Sequence, residues 1–321
     1  MLLKVHLLSG LPLSRTVAVI FTQVFLVLQL RVQHTSIIMK ISEHRLIIIC
    51  PVWSILLLGS RVTMMDSNLI YIADLPVKWQ IDHIEFVKDF LSDTMDEPVL
   101  SLDFRDGLIS SYSVQYTEKA FTRFLKTASG EMLFADEFWR DVTVYGTTKD
   151  SEYTLPLAAI CSKFAYYNTV LSHSSLVDYN GNGVLFLGPS GIGKTTQAQL
   201  WNKFKCADII NGDKAFIRVI DDCVYAYGLP WKGSSPYSLN RRVELKAIVV
   251  LSQSDNNTIV ELEDDSLEGL VPHVFFPHWD KTCLDKSLET LSEIIKNVPI
   301  YSLKCRPDEE AVQLVYKTVF G

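Results

Sequence analysis

Val184-Leu185-Phe186-Leu187-Gly188-Pro189-Ser190-Gly191-Ile192-Gly193-Lys194-Thr195-Thr196 is the stretch from which the fold of this chain is read. Its first four residues are a continuous apolar run, the pattern of a buried strand. The eight that follow, from Gly188 to Thr195, fit G-x-x-x-x-G-K-[ST]. Residues 196–204 then continue without Gly or Pro, carry Ala198, Leu200 and Trp201 as apolar contacts, and predict a helix. Strand, glycine loop and helix in that order make a P-loop. Average residue frequencies give the bare pattern by chance in roughly one chain in a hundred of this length, and the flanking elements make accident rarer.

The chemistry of these residues suits a nucleoside triphosphate. Gly188, Gly191 and Gly193 have no Cβ and can turn successive N–H groups toward phosphate oxygens, while the helix N-terminus adds the positive end of its dipole. Pro189, Ser190, Ile192 and Thr196 complete the cradle. Lys194 would place a full charge between the β- and γ-phosphates, and the Thr195 hydroxyl would ligate magnesium. The expected ligands are therefore ATP and Mg²⁺.

Working outward, residues 169–177 read as a strand, and the Asn- and Gly-rich stretch 178–183 as the turn of a hairpin returning into the loop strand. Downstream, a P-loop needs an acid at a neighbouring strand end, and the candidate is Asp213, just before a strand over Ala215–Ile220. A plain turn aspartate is the alternative. Asp221 and Asp222 read as the turn of a further hairpin that returns through residues 224–227. Toward the N-terminus, residues 69–73 and 99–104 predict strands, 81–91 an amphipathic helix, and 157–167 a helix opened by Pro156. Phe134, Phe138, Trp139 and Tyr145 are expected in the core.

The chain has 321 residues, of which 48% are hydrophobic and 21% charged, a globular composition. A net charge of −7 argues against nonspecific nucleic-acid binding, which needs an excess of Lys and Arg. The six cysteines are scattered without metal-ligand spacing and read as reduced core thiols of a cytoplasmic protein. Residues 1–63 differ from the rest: two apolar runs, 17–30 and 46–59, flank a charged stretch. Each is shorter than a spanning helix. A helical hairpin anchoring the chain to a membrane, a buried element, and sequence translated upstream of the true start are the three readings. The last is preferred, because Met64 and Met65 precede a switch to globular patterning. Three parts result: a hydrophobic extension over 1–63, a small α/β region over 64–155, and a P-loop domain over 156–321.

With those residues in place the chain resembles the HPr kinase-like branch of P-loop proteins, related to phosphoenolpyruvate carboxykinase. The matching stretch runs from His173 through Asp178 to Gly183, the loop, and on to Asp213. Further matches are 228–233, 245–251 and 299–308, which resemble a subgroup that accompanies peptide-modification genes. The resemblance implies an α/β kinase fold with a smaller N-terminal region, with Lys194 and Thr195 on phosphate and metal. It makes Asp213 a metal-linked or catalytic acid and sets His173 beside the γ-phosphate. On its own merits His173 is equally a packed strand histidine. One departure stands out: HPr kinases carry two adjacent aspartates where this chain has Gly212-Asp213.

The other polar residues read more plainly. The turn 230–235, with Lys232, reads first as an ordinary turn, with contact to substrate or phosphate as the alternative. Arg241 and Arg242 read first as solvated strand-entry residues, with donors to a transferring phosphoryl group as the alternative, and His273 and His278 read as structural. The C-terminal stretch is a capped helix opened by Pro307. Together these expectations describe an ATP-dependent phosphotransferase acting on a hydroxyl, with serine of a protein or peptide as acceptor. A small-molecule kinase and a non-catalytic ATP-binding module are the rivals.

Overall fold

The computed structural model describes residues 18–22, 25–32, 35–42, 45–49, 68–80, 85–105, 121–146, 153–263 and 266–321. The chain divides into two units, Met1–Asp66 and Ser67–Gly321. In the first, β1 (Ala18–Thr22), β2 (Phe25–Val32), β3 (Thr35–Ser42) and β4 (Arg45–Ile49) form an antiparallel sheet in sequence order. This corrects the helical reading of the two apolar runs wherever they fall within described residues. Val, Ile, Phe and Thr dominate these strands, and such side chains favour the pleated surface over the helix. Among the described residues no helix is long and apolar enough to cross a membrane.

The second unit holds two sheets with a helix between them. β5 (Asn68–Ile72) and β6 (Leu75–Gln80) form a hairpin whose turn places Ala73 and Asp74 at φ 53° and 58°, the left-handed pair of a tight hairpin turn. A 3₁₀ turn (Glu85–Phe90) leads into β7 (Leu91–Ser92), then β8 (Leu100–Arg105), β9 (Arg123–Lys126), β10 (Met132–Ala135) and β11 (Asp141–Tyr145). Their spatial order is β7-β5-β6-β8-β11-β10-β9. The amphipathic helix expected over 81–91 is thus a single 3₁₀ segment running into a strand, with 81–84 outside the described residues. Of the four aromatics expected in the core, Phe134, Trp139 and Tyr145 are buried, whereas Phe138 is 47% exposed and stacks under Arg140.

Helix α1 (Leu155–Phe164) follows, with Pro156 in its first turn and all its residues buried. A helix buried all round needs partners on both sides. One hydrophobic cluster accordingly joins Trp79, Leu102 and Val144 of the first sheet, Ile160 and Phe164 of α1, Phe216 of the second sheet, and Trp231 from the irregular segment before residue 242.

The second sheet contains β12 (Thr169–Ser172), β13 (Ser174–Tyr179), β14 (Asn182–Leu187), β15 (Asp208–Asn211), β16 (Ala215–Ile220), β17 (Cys223–Tyr227), β18 (Arg242–Gln253), β19 (Thr258–Glu261), β20 (Val274–Phe275) and β21 (Ile300–Cys305). Its order is β15-β13-β14-β18-β17-β16-β12-β20, with β21 also on β18 and β19 on β21. The loop strand β14 runs parallel to β18, which in turn runs parallel to β21. Side chains of β14 alternate between faces as a strand demands. Val184 and Phe186 pack with Ala198 and Trp201 of α2 (Lys194–Lys205) and with Ala311 and Val315 of the C-terminal helix. Leu185 and Leu187 pack on the other face with Leu291 and Ile294. Burial of each such side chain contributes about 1.5–3 kcal/mol. The short α3 (Ser266–Leu270), α4 (Lys281–Asn297) and α5 (Glu309–Phe320) complete the layers, giving the expected α/β class.

Two further expectations change here. The strand expected over 169–177 is broken at His173, because β12 pairs with β16 and β20 while β13 pairs with β14 and β15. Of the cysteines, Cys161, Cys283 and Cys305 are buried, but Cys206 and Cys223 are exposed at a helix end and a hairpin turn, so the core reading fails for those two. Cys50 lies outside the described residues.

Candidate functional site

The loop leaves the end of β14 at the middle of the sheet and enters α2 at its first residue. Gly188, Gly191 and Gly193 take φ of 144°, 81° and 113°, angles that L side chains rarely adopt. Gly188 is also short of room, since a Cβ there would lie 2.9 Å from the Ile192 side chain. Pro189, Ser190 and Gly191 are exposed at the mouth, Ile192 is half-buried, and Thr196 is exposed on the first turn of the helix. The Lys194 ammonium folds back over the loop, donating to Gly188 O (2.9 Å) and Pro189 O (3.1 Å). Burial lowers its pKa from the ordinary lysine range, and the Asp213 carboxylate works against that drop.

The acid comes from the turn after β15. Thr195 Oγ1 and Ser175 Oγ both donate to Gly212 O, at 2.9 Å each, so the hydroxyl that follows the loop lysine is fastened to the residue before Asp213. Asn211 is fully buried, and its Oδ1 accepts from the N–H groups of Asp213 (2.9 Å) and Lys214 (3.1 Å). The Asp213 carboxylate faces His173 Nε2 at 3.4 Å and forms an ion pair with Lys214. The His173 contact, against the opposing effect of burial and with help from Lys214, holds the carboxyl down at about 2.

His173 reaches this position because the chain changes partners there: its own N–H goes to His273 O (2.8 Å), and the next N–H, of Ser174, goes to Asp213 O (3.0 Å). His273, structural by its sequence context, lines the same cleft. Burial, followed by the charges of Lys194 and His173, lowers its pKa. The cleft encloses about 1000 Å³ and opens beside Ser190, Asp213 and Lys232 against an apolar wall that includes Leu157, Pro272 and Phe275. The turn over 230–235, read first as ordinary, forms part of this wall. No local signal marks either feature, because both depend on strands far apart in sequence.

The remaining candidates lie elsewhere. Arg241 bridges Asp178 and Asp208, Arg242 pairs with Asp74, and His278 packs against Trp279. Among the described residues, no group of three or more His, Cys, Asp or Glu is placed to hold a metal ion.

No family model and no curated protein matches the chain. Among solved structures 48 chains are similar. One is the HPr(Ser) kinase/phosphatase from Coxiella burnetii, 10% identical with a TM-score of 0.30, over 46% of this chain and 95% of that one. A likeness of that strength decides nothing about the reaction.

Proposed function

We propose that the chain is an ATP-dependent phosphotransferase that moves the γ-phosphoryl group to a hydroxyl acceptor, with serine of a protein or peptide as the acceptor class. The observation that supports this reading is the fastening of the P-loop to the acid turn: Thr195 Oγ1 donates to the carbonyl of Gly212, the residue before Asp213, and the Asp213 carboxylate is near enough to Lys194 to act on its charge.

The residues suit the ligands. Loop N–H groups, a buried ammonium and a helix N-terminus make an anion cradle, and the Lys194 Nζ, now on two carbonyl oxygens, has only to swing from them to a phosphate. The Thr195 hydroxyl and Asp213 carboxylate are hard oxygen donors of the kind magnesium accepts, taking its other ligands from water and phosphate. Bound magnesium supplies charge neutralisation at the phosphates.

In the transfer, the acceptor oxygen bonds to Pγ, the bond from Pγ to the β-phosphate bridging oxygen breaks, and ADP leaves. Little bond making precedes the transition state in such reactions, so a strong base is not required. Asp213 stays ionised, orients the hydroxyl and accepts its hydrogen bond, His173 beside it holds that carboxylate in place, and the proton released from the hydroxyl passes to water. Lys194 stabilises charge that builds on the leaving side.

Titration calorimetry with Mg-ATP, followed by incubation with γ-labelled ATP and a cell lysate, tests this reading. Saturable binding and label on a protein or peptide is the expected result. Label on a metabolite moves the acceptor to the small-molecule class, binding without transfer leaves a binding module, and no binding removes the proposal.

A further inference from the structure

The acid turn is touched residue by residue by a segment that comes from the far side of β17. Asn211 Nδ2 donates to Leu229 O (2.9 Å) and Trp231 O (3.4 Å). A Cβ on Gly212 would lie 2.0 Å from Ser235 Oγ and 2.7 Å from Ser235 Cβ. A Cβ on Gly233 would lie 2.7 Å from Asp213 Cγ. Three consecutive residues of the turn thus each meet the segment over 229–235. That segment is itself braced, with Trp231 Nε1 donating to Tyr153 O (2.9 Å) and Ser235 Oγ accepting from Tyr237 N (3.2 Å).

Gly212 differs from the loop glycines. It is not among the residues with positive φ, so its backbone would accept any L residue, and what it requires is space. The space is taken by Ser235, whose Cβ is fixed to the backbone and cannot rotate away as a long side chain would.

We propose that residues 229–235 are a positioning clamp for Asp213, keyed by Ser235 against the bare Cα of Gly212. The proposal rests on the phosphotransfer reading. On this view Gly212 does not mark a lost function. It is the condition for the clamp to close, and a larger residue at 212 lifts the segment and shifts the carboxylate away from the P-loop. Displacements of this size in a reacting constellation cost turnover far more than ground-state binding.

A double-mutant cycle with Gly212→Ala, Ser235→Gly and the pair together tests the clamp, read by melting temperature, Mg-ATP affinity and the rate of ATP turnover with water or an identified acceptor. Gly212→Ala is expected to lower kcat by about tenfold or more while KM for ATP stays within about twofold. Adding Ser235→Gly removes both clashing atoms and should return melting temperature and kcat to the level of Ser235→Gly alone. A Gly212→Ala protein that turns over like the wild type overturns the clamp, and so does a pair that remains slower than Ser235→Gly alone. If Gly212→Ala does not fold, the comparison of the pair with Ser235→Gly still decides. A wild type that binds no Mg-ATP overturns the phosphotransfer reading instead, while the melting temperatures continue to report whether residues 212 and 235 compete for one space.

Discussion

Among the described residues Lys194 forms no ion pair and is held by two backbone carbonyl oxygens, an arrangement a phosphate replaces readily. Lys194→Ala should therefore lower kcat by about two to three orders of magnitude with the fold intact, as judged by an unchanged melting temperature and circular dichroism. Asp213 offers a pH test. Its carboxyl is lowered from the ordinary 3.8 to about 2, so the folded state holds the ionised form and gains stability above the ordinary value. That contribution is lost as pH falls from about 4 to about 2, and Asp213→Asn should flatten acid unfolding in this window, measured by fluorescence at a series of pH values. The P-loop residues were legible in the sequence because their chemistry is local, eight residues in one turn. His173 was half legible: its sequence context leaves a packed strand histidine and a site residue equally open, and its ring meets Asp213 only because β12 and β13 part company there.

Among the elements, α4 shows how a helix end can serve as a joint. Its N-cap Asp280 is 5% exposed and accepts from Thr282 N (3.0 Å) and Cys283 N (3.2 Å). It also accepts from Trp139 Nε1 (3.0 Å), in the turn between β10 and β11, and from Arg123 Nε (2.6 Å) of β9. Burial works to raise its pKa, but these donors outweigh burial and hold it below the ordinary range. Asp280→Ala should destabilise the protein by about 3 kcal/mol, since it removes a cap and strands a guanidinium and an indole N–H, and chemical denaturation would register the loss. The strand, loop and helix around residue 188 followed from patterning alone. The 3₁₀ turn before β7 did not, because apolar spacing over a few residues cannot distinguish one turn of helix from three. Nor did the contact of the 229–235 segment with Asn211, which bridges a separation of 18 residues that only the sheet closes.

At the scale of the unit Ser67–Gly321, one hydrophobic cluster runs from Trp79 and Trp139 through α1 to Phe216 and Trp231. The two sheets share a core. They should unfold together, as a single calorimetric transition whose van't Hoff and calorimetric enthalpies agree. Two resolved transitions within this unit would contradict the shared core. The α/β class was readable from the alternation of patterns, whereas the joining of the sheets through a helix buried on every side was not, since α1 carries Lys163 and Ser162 among its buried residues. Lys163 is accommodated by the Phe138 carbonyl, a partner that lies 25 residues away.

The ring of Trp231 meets Trp79 edge-on at 6.0 Å, while its carbonyl lies on Asn211 beneath the acid turn. Indole emission is sensitive to small changes in such surroundings. The protein therefore carries its own optical gauge: ligand arriving at the cleft should register in tryptophan fluorescence without any attached dye, and Trp231→Phe should diminish that signal.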